Sequence, residues 1–154
     1  MSIAGSELFK PAFSGYEDRA RSSFARQGAM ALIGAHMVDL RPGYCAVALA
    51  RRPEIAQQHG YVHAGIVGAI VDSAGGYAGY TLFPEDTSVL TVEFKLNLLA
   101  PANGERLVAE GRVVKAGRTL TITRGEVYAE ASGSRTLVAL MQQTLMVMHG
   151  KSDY

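Results

Sequence analysis

One stretch of the sequence, residues 64–83, constrains the fold more than any other. It is about twenty residues long, consists mainly of Ala, Gly and apolar side chains, and carries one formal charge, Asp72. The length would suit a membrane span, but a central carboxylate costs about 2.5 to 3.5 kcal/mol on insertion scales, and weakly apolar residues do not offset that cost. We therefore predict a long helix buried in the core of a domain, not a membrane helix.

The surroundings of Asp72 on this helix indicate a functional role. At 100° per residue, Asp72 shares about one third of the circumference with small residues: Gly65, Gly68, Ala69, Gly75, Gly76 and Gly79. The opposite arc is apolar and should pack on a sheet: Ile66, Val67, Ile70, Ala74, Tyr77 and Ala78. Each glycine opposes helix formation by about 1 kcal/mol relative to Ala, so another backbone or a ligand should approach the glycine face closely. A surface carboxylate would instead have Lys, Glu or Gln as neighbours, and we favour Asp72 as an acid/base or nucleophilic group.

The rest of the chain predicts an N-terminal helix and six strands. The helix covers polar residues 16–28 and runs into apolar residues 29–33, and the polar segment 51–62 is expected to be a loop. Strands are predicted at 35–40, 44–49, 88–99, 106–115, 119–129 and 136–148. This order predicts an α+β fold in which an antiparallel sheet wraps the long central helix. No linker interrupts it, so we expect a single domain over 1–154 with its core at about 29–148.

Composition and charge exclude several classes of protein. Fifteen basic and fourteen acidic residues give a net charge of +1 without a basic cluster, so we expect no nucleic-acid partner. Residues 1–11 lack the pattern of a secretory signal, which predicts a cytoplasmic location. Cys45 is the sole cysteine, and no helix start or basic neighbour would lower its pKa, so we interpret it as a small buried hydrophobic residue.

The start of the core helix offers a second chemical component. Backbone N–H groups at Ala64, Gly65 and Ile66 lack intrahelical partners and lie at the positive end of the helix dipole, where a developing oxyanion is stabilised. Ala64 and Asp72 are about 12 Å apart along the helix axis, too far for both to touch one carbonyl group. We therefore predict a site shared by two chains, in a two-fold dimer with antiparallel core helices.

A short motif before and within this helix resembles a known family. The run Gln57-Gln58-His59-Gly60-Tyr61-Val62-His63-Ala64-Gly65, with Asp72 nine residues after His63, resembles the hotdog-fold acyl-coenzyme A thioesterases of the phenylacetate-degradation (PaaI-like) branch. That family has Gln or Asn, then Gly, then His-Gly-Gly, then an acid. The resemblance extends over about 29–148 in the order of elements. It implies the hotdog fold, an acyl-coenzyme A substrate and a homo-oligomer, either a dimer or a tetramer.

The resemblance also implies roles for individual residues. Asp72 matches the residue that attacks the thioester or activates water, and the amides of Ala64 and Gly65 match the oxyanion hole. The positions that place the thioester and the water are matched by His63 and Gln57.

Two further positions complete the comparison with the family motif. Thr91 matches a Ser or Thr that assists the acid, although the alternation Val89, Thr91, Glu93, Lys95, Asn97 predicts the polar face of its strand. Gly76 stands where some relatives have a hydroxyl group that contacts the acyl chain, so the identity of the acyl group stays open.

Other interpretations were weighed against a thioesterase. His59 and His63 have a spacing seen in metal sites, but no Cys or acidic ligand lies nearby, and we expect no metal and no other cofactor. A hotdog hydratase or dehydratase also stays open, although that function is expected to come with a proline-containing loop after the His, and His63-Ala64-Gly65 lacks the proline. A non-catalytic module that binds or senses acyl thioesters stays open. Lys115 and Arg118 flank Gly117 in a turn, where they either meet the phosphates of coenzyme A or form a solvated hairpin tip.

Overall fold

In the computed structural model, which describes residues 9–152, two helices are followed by two strands, a long helix and four more strands. The elements are α1 (Tyr16–Ala25), α2 (Gly28–Ile33), β1 (His36–Arg41), β2 (Tyr44–Ala50), a 3₁₀ turn (Pro53–Ile55), α3 (Ala64–Tyr80), β3 (Thr87–Leu98), β4 (Arg106–Ala116), β5 (Leu120–Ala131) and β6 (Ser134–His149). The strands form one sheet in the order β1-β2-β4-β5-β6-β3, and every neighbouring pair is antiparallel. The predicted α+β arrangement, with one long helix against an antiparallel sheet, is confirmed.

The core helix α3 is in contact with every strand from β2 to β6. Most of the arc predicted to pack on the sheet is buried: Val67, Ile70, Ala74, Tyr77 and Ala78. Within residues 9–152, no helix is both long enough and apolar enough to cross a membrane. The interpretation of residues 1–11 falls mainly on residues 1–8, which lie outside the described part of the chain.

Gly75 and Gly79 of α3 face side chains of the sheet, where another backbone or a ligand was predicted to approach the helix. A methyl group at position 75 would overlap Gln143 Oε1 on β6, and one at position 79 would overlap Leu145 on the same strand. A side chain at Gly111 on β4 would likewise collide with the backbone of Ala74. The close approach that these glycines allow is therefore made by the sheet of the same chain, which wraps tightly around the helix.

The N-terminal segment forms two helices where a single one was predicted. The chain leaves the helical conformation at Gln27, whose ψ angle is 100°, and α2 begins at the next residue. The Gln27 side chain explains the break, because its Nε2 donates to Tyr77 Oη at 3.0 Å and its Oε1 accepts from Ser73 Oγ at 3.3 Å. The pattern of polar and apolar residues along 16–33 does not indicate these contacts with α3, so it predicted one helix without a break.

Strand β3 contains a β-bulge that changes which residues face α3. The register with β6 shifts between Thr91 and Glu93, so Val92 is an extra residue. Thr91 pairs with buried Leu145 and faces the helix, whereas Glu93 pairs with Thr144 and accepts its hydrogen bond on the other face. The expectation that Thr91, Glu93, Lys95 and Asn97 share one face was therefore wrong, because one inserted residue reverses the alternation.

Candidate active site

Asp72 lies in the middle of α3 with its side chain half-buried between the helix and strand β3. Its Oδ1 accepts a hydrogen bond from Thr91 Oγ1 at 2.8 Å and another from Gln143 Nε2. Asp72 Oδ2 has no hydrogen-bond partner among residues 9–152. The structure thus brings Thr91 to the carboxylate and fixes one carboxylate oxygen while leaving the other available.

Gln143 was not identified from the sequence. It lies on β6 and is only 1% exposed, and its Nε2 also lies 3.1 Å from Asp72 O and from Thr91 Oγ1. A signal was present in the sequence, because Met141, Leu145 and Val147 form the apolar side of an alternating strand. A glutamine in that row needs buried hydrogen-bond partners, which marks it as unusual.

A cavity of about 470 Å³ opens beside Asp72, between the N-terminal helices and β3. Thr91 and Leu90 line it from β3, and Arg26 and Gln27 line it from the junction of α1 and α2. Gly76 also lines it, and a methyl group built at this position would meet nothing within 4 Å. A substrate group next to Asp72 would therefore meet mixed polar and apolar walls, with open space at position 76.

The start of α3 is capped by His63, which differs from the prediction. The His63 Nδ1 accepts from the N–H of Gly65 at 2.9 Å, and the His63 carbonyl accepts from the N–H of Ile66 at 2.9 Å. Of the three amides predicted to be unpaired, only that of Ala64 has no hydrogen-bond partner within residues 9–152. His63, Ala64 and Gly65 are all exposed. The Gly65 amide becomes available to a ligand only if the His63 ring turns away.

A second cavity, of about 520 Å³, lies at this helix start. Gln57, His63 and Ala64 line it on one side, and Leu98 of β3 lines it on another. The Gln57 Oε1 accepts a hydrogen bond from the N–H of His59, so this glutamine is held by its own loop. The two cavities share no lining residue. Within one chain, therefore, Gln57, His63 and Ala64 are together, and Asp72 and Thr91 are together, but the two groups are separate.

Lys115 and Arg118 lie on the surface at the β4–β5 turn and line neither cavity. The sheet register places this turn just beyond the level of Thr91, the partner of Asp72, since Thr91 pairs with Leu145, Leu145 with Thr121, and Thr121 with Ala116. The carbonyl oxygen of Arg118 is 3.0 Å from His149 Nε2, a contact that ties the turn to the end of β6.

The structure also bears on a reactive thiol and on a metal site. Cys45 is buried in β2, and burial raises the pKa of its thiol well above the usual range, which disfavours the reactive thiolate. Across residues 9–152, no cluster of three or more His, Cys, Asp or Glu side chains could hold a metal ion.

The chain is similar to known thioesterases and esterases in both sequence and structure. The model of the thioesterase superfamily matches residues 59–135 of the chain. A thioesterase family protein from Silicibacter pomeroyi, known from its crystal structure, is 46% identical, with a TM-score of 0.87 over 88% of this chain and 100% of that one. A protein of Saccharolobus solfataricus, named as a candidate esterase, is 28% identical over 64% of this chain and 74% of its own length.

The E. coli PaaI protein from the phenylacetic acid degradation operon has a similar structure, with a TM-score of 0.76. Its sequence is 16% identical, over 88% of this chain and 95% of that one, so the similarity concerns the fold. Together with the Silicibacter structure, it confirms the hotdog arrangement that the sequence motif implied.

Proposed function

Because the chain belongs to the thioesterase superfamily, we propose that it is an acyl-coenzyme A thioesterase whose catalytic carboxylate is Asp72. The observation that supports this most directly is the hydrogen bonding of Asp72. Its Oδ1 is held by Thr91 and Gln143, and the carboxylate lines a cavity with Oδ2 unpaired among the described residues. A carboxylate fixed in this way is pre-organised either to attack a carbonyl carbon or to accept a proton from water.

The reaction is hydrolysis of the thioester to a carboxylic acid and free coenzyme A. In one route Asp72 attacks the carbonyl carbon, the thiolate leaves, and water cleaves the resulting anhydride. In the other route Asp72 takes a proton from water, the oxygen of that water attacks the carbonyl carbon, and the C–S bond breaks so that the thiolate leaves and takes up the proton. Both routes place negative charge on the carbonyl oxygen, where the amides of Ala64 and Gly65 would stabilise it. His63 and Gln57 are proposed to position the thioester and the water.

We propose that the site is completed by a second copy of the chain. Strand β3 is an edge of the sheet, and it carries half-exposed apolar side chains: Leu90, Val92, Phe94 and Leu98. Asp72 lies beside Thr91 near the first half of β3, and the helix start lies beside Leu98 at its end. If two β3 strands pair antiparallel about a two-fold axis, the first half of each strand lies against the second half of the partner's strand. Each Asp72 would then meet the helix start of the partner, which gives two equivalent sites.

Coenzyme A is proposed to extend toward the β4–β5 turn, with Lys115 and Arg118 near its phosphates. The position of that turn near the level of Thr91 in the sheet supports this route. We further propose that residues 1–154 are one thioesterase domain and that the protein is a cytoplasmic homo-oligomer. A dimer and a dimer of dimers would both contain the shared site.

The experiment that tests the function is release of free thiol from a panel of aliphatic and aromatic acyl-coenzyme A thioesters. The wild-type protein should release thiol from at least one of them, and the Asp72→Asn variant should not. Saturable binding of acyl-coenzyme A without thiol release would contradict the proposal and favour a binding or sensing module.

A further inference from the structure

Gln143 connects Asp72 to a buried hydroxyl group on the neighbouring strand. Its Nε2 donates toward Asp72 and Thr91, and its Oε1 accepts a hydrogen bond from Thr123 Oγ1 at 2.7 Å. Thr123 belongs to β5 and Gln143 to β6, and the two residues are paired in the sheet and fully buried. The carboxamide is therefore held at both ends.

We infer that Thr123 and Gln143 form a positioning relay that fixes the orientation of the Asp72 carboxylate. This inference rests on the proposed function. The Asp72 carboxylate only accepts hydrogen bonds, so the nitrogen end of the carboxamide faces it, and the Thr123 hydroxyl donates to the oxygen end. A reversed carboxamide would set an acceptor oxygen against the carboxylate and lose the hydrogen bond to Asp72. The relay thereby determines that Asp72 Oδ1 is held and that Oδ2 is the atom that acts.

Gly75 supplies an independent observation for the same relay. A methyl group at position 75 would overlap the Gln143 Oε1 and lie 2.9 Å from Thr123 Oγ1. A glycine inside a helix costs about 1 kcal/mol relative to Ala, so its presence needs a compensating contact. Here the space left by the missing side chain is filled by the polar carboxamide. By contrast, the space at Gly79, one helical turn later, is filled by apolar Leu145.

The effect of the relay on catalysis can be distinguished from an effect on packing, because its residues do not contact the substrate. Neither Gln143 nor Thr123 lines the cavity beside Asp72. Loss of the relay should therefore lower kcat through the carboxylate while leaving KM nearly unchanged. A packing defect would instead lower stability without this selective loss of kcat.

The test compares two matched substitutions on strand β5. Thr123→Val removes the hydroxyl of the relay. Thr121→Val makes the same change two residues away, at a side chain that is also 0% exposed but whose Oγ1 has no hydrogen-bond partner within the described residues. We expect kcat for thiol release to fall about 10-fold in Thr123→Val, with KM within about two-fold. Thr121→Val should keep the wild-type kcat, and Thr123→Ser, which retains the hydroxyl, should recover most of the activity.

Crystal structures of the two valine variants provide a readout that does not depend on turnover. The Asp72 carboxylate should rotate, or occupy two orientations, in Thr123→Val and stay as in wild type in Thr121→Val. If the wild-type protein hydrolyses no thioester, the proposed function fails. The relay is then tested by the orientation of the Asp72 carboxylate in the two crystal structures alone. An unmoved carboxylate with full kcat in Thr123→Val would overturn it, as would equal losses in both variants. Should Thr123→Val not fold, Gln143→Met serves with the same expected results.

Discussion

The two halves of helix α3 differ in how completely a single chain builds them. Around Asp72, the carboxylate is held by side chains from β3 and β6, and the supporting residues are buried. At the helix start, His63, Ala64 and Gly65 are exposed, and the His63 ring occupies the Gly65 amide. The Asp72 carboxylate is thus pre-organised within one chain. At the helix start, the Gly65 amide proposed to bind the oxyanion is free only after the His63 ring turns away. The carboxylate that works with these amides comes, as we propose, from the partner chain.

Asp72→Asn removes the carboxylate itself and should have the largest effect on activity. The amide keeps the shape of the side chain but can neither attack a carbonyl group nor accept a proton, so we expect kcat to fall about 10³-fold. Steady-state thiol release measures this loss, and thermal unfolding serves as the control for folding. Near wild-type turnover by a folded Asp72→Asn protein would refute the mechanism.

Phe94→Glu tests whether the exposed start of α3 needs a second chain to form an active site. Phe94 is 49% exposed near the middle of edge strand β3, where two copies would meet about the two-fold axis. A charge there should give monomers by sedimentation, and activity should fall about 100-fold because each Asp72 then lacks its oxyanion donors. Val114→Glu is the matched control, since Val114 is 61% exposed but lies on β4. A fully active Phe94→Glu monomer would contradict the shared site.

Arg118→Ala should have a smaller effect, confined to the nucleotide. We expect KM for an acyl-coenzyme A to rise several-fold with kcat unchanged, because a charged contact to phosphate is lost. A truncated thioester without the nucleotide should be hydrolysed as by wild type. Equal weakening with both substrates, or with neither, would show that Arg118 is not a phosphate contact and that the turn is a solvated hairpin tip.

The smallest effect is expected at Cys45, which lies in neither half. Burial raises the pKa of this thiol, so the native protein should react with thiol reagents only after denaturant is added. Because folding favours the neutral thiol, its contribution to stability is complete below the unfolded pKa of about 8.5 and declines as pH rises above it. Cys45→Ala should keep wild-type kcat. Rapid labelling of the native thiol would show that β2 opens readily.

Local sequence patterns predicted the long helix, the strands and the position of Asp72, because burial of one face makes apolar residues recur with the period of a helix or a strand. The bulge at Val92 escaped such analysis, since it is defined by the register between β3 and β6. Gln143 and Gln27 escaped for a related reason. Their importance depends on partners 71 and 46 residues away along the chain, Asp72 and Ser73, which only the folded structure brings near.

The cap on α3 shows the same limit at short range. The motif around His63 indicated that this residue and the two after it act together, yet the sequence pattern could not show that the His63 ring itself accepts from the Gly65 amide. That contact depends on the side-chain rotamer of His63. It also means that the Gly65 amide, which we propose binds the oxyanion, is occupied by the His63 ring in an isolated chain.

The most direct test of the shared site is complementation between two inactive variants. Ala64→Pro suits the first position of a helix and follows an extended His63, so it removes the Ala64 N–H with little strain. Mixed with Asp72→Asn under subunit exchange, it should yield heterodimers with one intact site. An equal mixture should recover about a quarter of wild-type activity, since half of the dimers would be mixed and each would hold one site of two. Verified heterodimers without activity would contradict the account and place Asp72 and the amides in the same chain.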